Sequence, residues 1–227
     1  MSSIADLNAL AIEIADQLRN LPKHDAATLR ALRRRVSAEL VAQPAKSIVR
    51  IAKRIMQSGV PGRHVIACEL ILHRPDALAT IRAKDLEHLG RFMANWAEVD
   101  TFACYVAGRA WRARQIEDSV VLGWAGSDNR WWRRAALVST VPLNVRAQGG
   151  SGDARRTLRI CRLLVADRDP MVVKAMSWAL RELAVRDAAA VSTFLQRQDE
   201  RLAPQVRREV RSKLETGRKA AHHARKQ

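Results

Sequence analysis

The strongest constraint on the fold is a helical periodicity of apolar residues that recurs in block after block along the chain. Strand signals are nearly absent, because the sequence has no Asn-Gly or Asp-Gly hairpin and no sustained two-residue alternation. Proline and glycine breaks separate the blocks, as at Leu21-Pro22 and Gly59-Val60-Pro61-Gly62. The pattern predicts helices near residues 4–20, 25–42, 46–58, 62–73, 84–94, 97–110, 115–125, 129–141, 153–166, 170–185, 187–198 and 203–216.

Short connections between these helices indicate about six helical hairpins, each near the ~40-residue period of HEAT-like repeats. A hairpin of this kind cannot bury its apolar face alone, so successive hairpins stack into a curved ribbon with a concave side. The sequence therefore predicts an all-α fold, an α-α superhelix (a HEAT-like repeat solenoid) with a concave groove. One repeat domain is expected over residues 1–216, followed by a basic, disordered tail over residues 217–227.

The charge of the chain points to an anionic partner. Lys and Arg together number 40 against 23 Asp and Glu, a formal net charge of +17. Most of this excess lies in residues 101–227, and it is mainly Arg, which suits bidentate contact with phosphate. Nucleic acid is the favoured partner, ahead of an anionic membrane surface. The remaining alternative is that the chain is a soluble basic protein that binds neither.

Other signals indicate a cytoplasmic setting. No segment approaches the ~20 consecutive apolar residues that span a bilayer, so no membrane partner is expected. Acidic residues interrupt the N-terminal segment, which predicts that it is not a signal peptide. Three cysteines have neither metal nor disulfide spacing: Cys68, Cys104 and Cys161. A reduced bacterial cytoplasm, a monomer, no metal and no cofactor are therefore expected.

All six tryptophans lie between residues 96 and 178. Trp111 and Trp124 have apolar neighbours in sequence, which predicts that they belong to the core. Three other stretches differ, because each places a tryptophan at helical spacing from a charged residue: NWAEVD (Trp96, Asp100), SDNRWWRRAAL (Trp131, Arg134) and KAMSWALRE (Lys174, Trp178, Arg181). An unpaired charge is costly to bury, so these faces are candidates for a site.

In this order and spacing, the three stretches resemble the hallmark segments of the AlkD-type alkylpurine DNA glycosylases. The resemblance is clear over residues 84–185, continues to residue 216 and fades in the N-terminal helices. It implies that duplex DNA containing alkylated purines binds the concave groove, and that the enzyme belongs to base excision repair. It further implies that the damaged base is released while it is still stacked in the duplex.

The resemblance also implies residue roles. Asp100 would be the catalytic carboxylate, and Trp96 and Trp178 would flank the deoxyribose of the damaged nucleotide. Arg134 would hold a backbone phosphate, and Arg181 matches another basic position of the groove. Two further cations of the same stretches are assigned to the DNA backbone with them: Arg133 and Lys174.

These residue types suit the reaction. A purine alkylated at N3 or N7 is cationic and is already an activated leaving group. A carboxylate can stabilise the positive charge that develops on the sugar and can orient the attacking water, and the faces of tryptophan rings add electrostatic stabilisation. The residues beside Asp100 include no lysine, which predicts simple hydrolysis without a Schiff base.

Two alternatives stay open. The first is a non-catalytic relative that grips bent, branched or damaged DNA, because a fold by itself does not guarantee activity. The second is a HEAT-type protein scaffold, which the arginine excess disfavours. The preferred lesion and the biological setting, housekeeping repair or self-resistance to a DNA-alkylating metabolite, are not determined by the sequence.

Overall fold

A computed structural model describes residues 3–219, and this part of the chain contains helices and no β-strand. The chain divides into two compact units at the boundary between Ile116 and Glu117. The helices of the first unit are α1 (Ile4–Arg19), α2 (Ala26–Glu39), α3 (Ala45–Gln57), α4 (Arg63–Leu72), α5 (Pro75–Ala79), α6 (Ala83–Gly90), α7 (Trp96–Phe102) and α8 (Gly108–Arg112). Those of the second are α9 (Asp118–Ala125), α10 (Arg130–Val138), α11 (Val141–Asn144), α12 (Ala154–Leu163), α13 (Pro170–Ala184), α14 (Ala188–Gln198) and α15 (Pro204–Thr216).

Helices of the first unit pack in a repeating pattern. α3 packs against α4, while α1 packs against α3 and α2 against α4, so alternate helices are stacked neighbours. The apolar stripe of α3 shows why: Ile48, Ile51 and Ile55 recur at helical spacing and are at most 1% exposed. At Gly62, just before α4, the backbone has φ +83°, and an added Cβ would lie 2.8 Å from Leu29 Cδ2. The predicted break at this position therefore requires glycine, both for its backbone conformation and because the Leu29 side chain lies close to the backbone.

A π-helical segment, Ala103–Ala107, joins α7 to α8. The sequence predicted one helix near residues 97–110 and gave no sign of this change. A π segment takes more residues per turn than an α-helix, so it changes the side toward which the following residues point. The face that carries Trp96 and Asp100 therefore does not continue with α-helical spacing into α8.

The second unit is built around α13, which packs against α10, α12 and α15. Val172, Ala175, Ala179 and Leu183 recur along α13 at three- and four-residue spacing and are fully buried. Asp169 caps this helix, since its carboxylate accepts hydrogen bonds from the backbone amides that follow it.

The prediction of an all-α helical-repeat fold is confirmed by this architecture. The predicted helices lie where the structure has them, within a few residues at their ends. Two short helices were missed, α5 and α11, because each has one turn or little more and shows no periodicity.

None of the described helices is long and apolar enough to cross a membrane. The single domain predicted over residues 1–216 stays a prediction. The predicted tail lies outside the described residues from residue 220 onward.

Candidate functional site

The first candidate segment begins α7. Asn95 caps the helix, because its Oδ1 atom accepts a hydrogen bond from Glu98 N at 3.0 Å, and Glu98 Oε2 accepts one from Ala94 N at 2.8 Å. These two bonds fix where the helix starts and which way its first turn faces. Trp96, the first residue of α7, is 58% exposed, and Asp100 lies one turn further on and is half-buried.

A buried histidine of α4 lies beside the first turn of α7. His64 is 1% exposed, and its Nδ1 atom lies 3.1 Å from Glu98 Oε1, without the angles of a hydrogen bond. Burial lowers the pKa of His64 to about 3, and the charge of Arg63 acts in the same direction. His64 is therefore neutral at pH 7 and lies beside Glu98, whose carboxylate accepts the hydrogen bond from Ala94 N just before α7.

The second candidate segment begins α10, where Asn129 Oδ1 accepts a hydrogen bond from Trp131 N at 2.8 Å. Arg133 is held within its own unit: its Nε atom donates to Asp167 Oδ2 at 2.7 Å, and its Nη1 atom donates to two backbone carbonyls. Arg134 is 5% exposed, and its Nη1 atom donates to the carbonyl of Met171 at 2.6 Å. Arg133 thus ties α10 to the segment before α13, and Arg134 ties it to the first turn of α13.

The other aromatic residues of this segment also make specific contacts. The guanidinium carbon of Arg130 lies 4.7 Å from the centroid of the Trp131 ring, a cation–π distance. Trp132 packs against Trp124, with ring centroids 5.1 Å apart. Trp124 is 7% exposed and Trp111 is 1% exposed, so the prediction that both belong to the core is confirmed.

The third candidate segment lies on α13. Lys174 is exposed, Trp178 and Arg181 are half-buried, and all three lie along one stripe of the helix. The indole Nε1 of Trp178 donates to Glu182 Oε1 at 3.0 Å, which fixes the orientation of the ring. Glu182 was not predicted as a site residue, although its spacing of four residues from Trp178 places the two side chains on the same stripe of the helix.

Arg181 is braced from α15. Its Nε atom donates to both the carbonyl and the hydroxyl of Ser177 at 3.2 Å, and the Ser177 hydroxyl donates to Glu209 Oε2 at 2.5 Å. Gln205 Nε2 donates to the other carboxylate oxygen of Glu209 at 2.9 Å. Burial lowers the pKa of Arg181, and the charges of Glu209 and Glu182 oppose that shift.

The carboxylate of Glu209 is ionised within this network although it is only 7% exposed. Burial raises its pKa, but hydrogen bonds from Ser177 and Gln205 and the charges of Lys219 and Arg181 outweigh burial, so the net shift is downward. No short-range pattern in the sequence marks Glu209, because it lies 32 residues from Ser177.

The predicted site residues thus fall into two groups. Trp96 and Asp100 belong to the first unit and share one turn of α7. The other group belongs to the second unit, where α10 and α13 pack together: Arg133, Arg134, Lys174, Trp178 and Arg181. Within the described residues no cluster of three His, Cys, Asp or Glu side chains has the arrangement of a metal site.

Residues 14–214 match the DNA alkylation repair enzyme family. The chain belongs to that family. The match agrees with the resemblance seen in the three tryptophan stretches and extends it to α1 and α2, where the sequence offered no recognisable pattern. No curated protein matches the chain. Membership in the DNA alkylation repair enzyme family gives the protein a role in the repair of alkylated DNA, with DNA as its substrate.

Proposed function

We propose that this member of the DNA alkylation repair enzyme family is a monofunctional DNA glycosylase. Its substrate would be duplex DNA that carries cationic alkylated purines, of the 3-methyladenine and 7-methylguanine type or bulkier. The observation that carries the proposal is the pairing on α7 of an exposed tryptophan, Trp96, with a carboxylate one turn away, Asp100. Family membership supports DNA as the substrate but leaves the reaction open.

The reaction is a hydrolysis of the N-glycosidic bond. The bond between C1′ and the purine breaks, the electron pair leaves with the cationic base, and positive charge develops on the deoxyribose. The Asp100 carboxylate stabilises that charge and accepts a hydrogen bond from the attacking water, which it orients toward C1′. Water adds to C1′ and loses a proton, and the products are a free neutral base and an abasic site.

Tryptophan rings complement the carboxylate. The face of an indole ring is electron-rich, and it stabilises a nearby cation by roughly 0.5–2 kcal/mol, more when water is excluded. Trp96 and Trp178 are proposed to supply such faces. The Glu182 carboxylate holds the Trp178 indole through a hydrogen bond of 3.0 Å, so the ring is oriented before DNA arrives.

The arginines are proposed to hold the DNA backbone. Arg181 is the better-supported one, because it is half-buried with its Nε atom fixed by Ser177, which leaves its terminal nitrogens for phosphate. Arg134 has one donor on the Met171 carbonyl, so substitution of Arg134 is expected to disturb the α10–α13 contact as well as any phosphate contact.

Release of free base from methylated duplex DNA tests the proposal. Single-turnover release of 7-methylguanine is measured with the wild-type protein and with Asp100→Asn. The substitution keeps the size of the side chain and removes its charge, so release is expected to fall by roughly 10²-fold or more. Duplex binding is expected to survive, since a negative charge near the phosphates is removed.

Glu87→Gln is the matched control, because Glu87 is an exposed carboxylate on α6 of the same unit. It is expected to release base at the wild-type rate. Unchanged release by a folded Asp100→Asn protein would exclude Asp100 from the mechanism. Tight duplex binding with no release by the wild-type protein would instead favour a non-catalytic DNA-binding protein.

A further inference from the structure

A cavity of about 550 Å³ lies in the first unit, between α3 and the segment that links α5 to α6. Five of the side chains that line it are cationic, and one is a carboxylate. None is aromatic. The lining residues are Lys46, Val49, Arg50, Lys53, Ala79, Thr80, Arg82, Lys84 and Asp85.

The cations of one wall follow from the amphipathic character of α3. Lys46, Arg50 and Lys53 are spaced by four and three residues, so they share one face and extend over ~10 Å of the helix. The opposite face of α3 is the buried isoleucine stripe. The helix thus presents a row of positive charges to the cavity.

Both oxygen atoms of the carboxylate in the cavity accept hydrogen bonds from the protein. Asp85 Oδ1 accepts a hydrogen bond from Lys53 Nζ at 2.9 Å, and Asp85 Oδ2 accepts one from the backbone amide of Arg82 at 3.1 Å. The Arg82 side chain turns back to the carbonyls of Ala79 and Ile81. Asp85 therefore neutralises Lys53 and caps α6, and it balances no further cation.

Three cations of the cavity make no ion pair with the carboxylate that lines it, because Asp85 is paired with Lys53. Among residues 3–219, none provides a hydrogen-bond acceptor or an ion-pair partner to Lys46, Arg50 or Lys84. Elsewhere in the described chain, many arginines are paired, as Arg133 is with Asp167 and Arg74 is with Asp76. Like charges that converge on one concavity repel each other, and an anion placed between them relieves that repulsion.

We propose that this cavity binds phosphate groups of the DNA backbone. Pockets for small molecules are mostly apolar or aromatic, whereas this lining offers cations and no ring on which a base could stack. A row of cations along a helix matches a ligand with evenly repeated charges, and duplex DNA carries one charge per ~1.7 Å of its axis. The inference rests on the proposed function only for the identity of the partner, DNA, and it does not require base excision.

The salt dependence of duplex binding tests the inference. The triple variant Lys46→Ala, Arg50→Ala, Lys84→Ala is compared with Lys23→Ala, Arg34→Ala, Arg91→Ala, which removes three exposed charges elsewhere in the same unit. Each phosphate contact adds ~0.9 to the slope of log K against log salt. The cavity variant is expected to lose about 2–3 from the slope for an undamaged duplex, and the control variant less than 1.

Equal slopes for the two variants would overturn the inference. Titration with inorganic tripolyphosphate tests whether the ligand is instead a free phosphate compound. That alternative is supported if the wild-type and control proteins bind tripolyphosphate tightly, the cavity variant does not, and the duplex slopes of the two variants are equal. Arg50→Glu alone provides a second test, and it is expected to weaken duplex binding more than Arg34→Glu does. If the wild-type protein releases no base, the proposed function fails while the slope comparison still decides the cavity.

Discussion

The Ser177 hydroxyl donates a hydrogen bond to the Glu209 carboxylate over 2.5 Å, and this bond links α13 to α15 inside the second unit. The same hydroxyl accepts a hydrogen bond from Arg181 Nε at 3.2 Å. A chain of two hydrogen bonds therefore runs from Glu209 through Ser177 to Arg181. The buried carboxylate positions the serine hydroxyl, and the hydroxyl positions the arginine. Arg181 is oriented by residues that are not themselves predicted to touch DNA.

Loss of this support is expected to weaken DNA binding. Ser177→Ala removes the hydroxyl that both Arg181 and Glu209 use, so the guanidinium becomes more mobile and binding requires it to be ordered again. We expect duplex affinity to fall several-fold and the slope of log K against log salt to become smaller by up to ~1, the share of one phosphate. Fluorescence anisotropy with labelled duplex at several salt concentrations measures both quantities.

Ser139→Ala is the control for that variant. Ser139 is also fully buried in the second unit, and within the described residues its hydroxyl has no hydrogen-bond partner. Equal effects of the two substitutions on duplex affinity would mean that Ser177 serves only the stability of the fold.

The effects of replacing the tryptophans are expected to depend on how exposed each side chain is. Trp111 is 1% exposed, so Trp111→Ala is expected to lower the free energy of unfolding by ~3–5 kcal/mol. Trp96 is 58% exposed, so Trp96→Ala is expected to leave stability nearly unchanged and to slow base release. Urea unfolding and single-turnover release measure the two effects. A Trp96→Ala protein that releases base at the wild-type rate would remove this ring from the proposed site.

The buried histidine predicts a pH dependence of stability. Burial lowers the pKa of His64 from 6.5 to about 3, so between these values the unfolded chain binds a proton that the folded chain does not. The stabilising contribution is therefore present above pH 6.5 and is lost as the pH falls, by up to ~1.4 kcal/mol per pH unit. Between pH 7 and 5 we expect the wild-type protein to lose ~2 kcal/mol more than His64→Phe.

Urea unfolding at pH 7, 6 and 5 measures this difference. His24→Phe is the control, because His24 is exposed in the same unit. Parallel pH dependences for the wild-type and His64→Phe proteins would show that the Glu98 carboxylate, 3.1 Å away, compensates for burial by holding the proton on the ring.

Some features of the site could be predicted from sequence because they are local. Trp96 and Asp100 share a turn in any helix that contains both, and Lys174, Trp178 and Arg181 share a stripe for the same reason. The membership of Trp111 in the core followed from its apolar neighbours. The π-helical segment at Ala103–Ala107 was not predicted, because its residues have the same apolar character as those of an ordinary buried helix.

The sequence by itself determined where the helices lie, which faces are apolar and which tryptophans accompany charges, since these depend on spacings of three and four residues. Only the tertiary structure decided that Arg134 donates to the carbonyl of Met171, that Glu209 supports Ser177, and that residues 46–53 and 79–85 enclose one basic cavity. These contacts join residues that are about 30 to 40 positions apart. Many packings of the same amphipathic helices satisfy the same periodicity, and the interlocking of side chains across helices selects one of them.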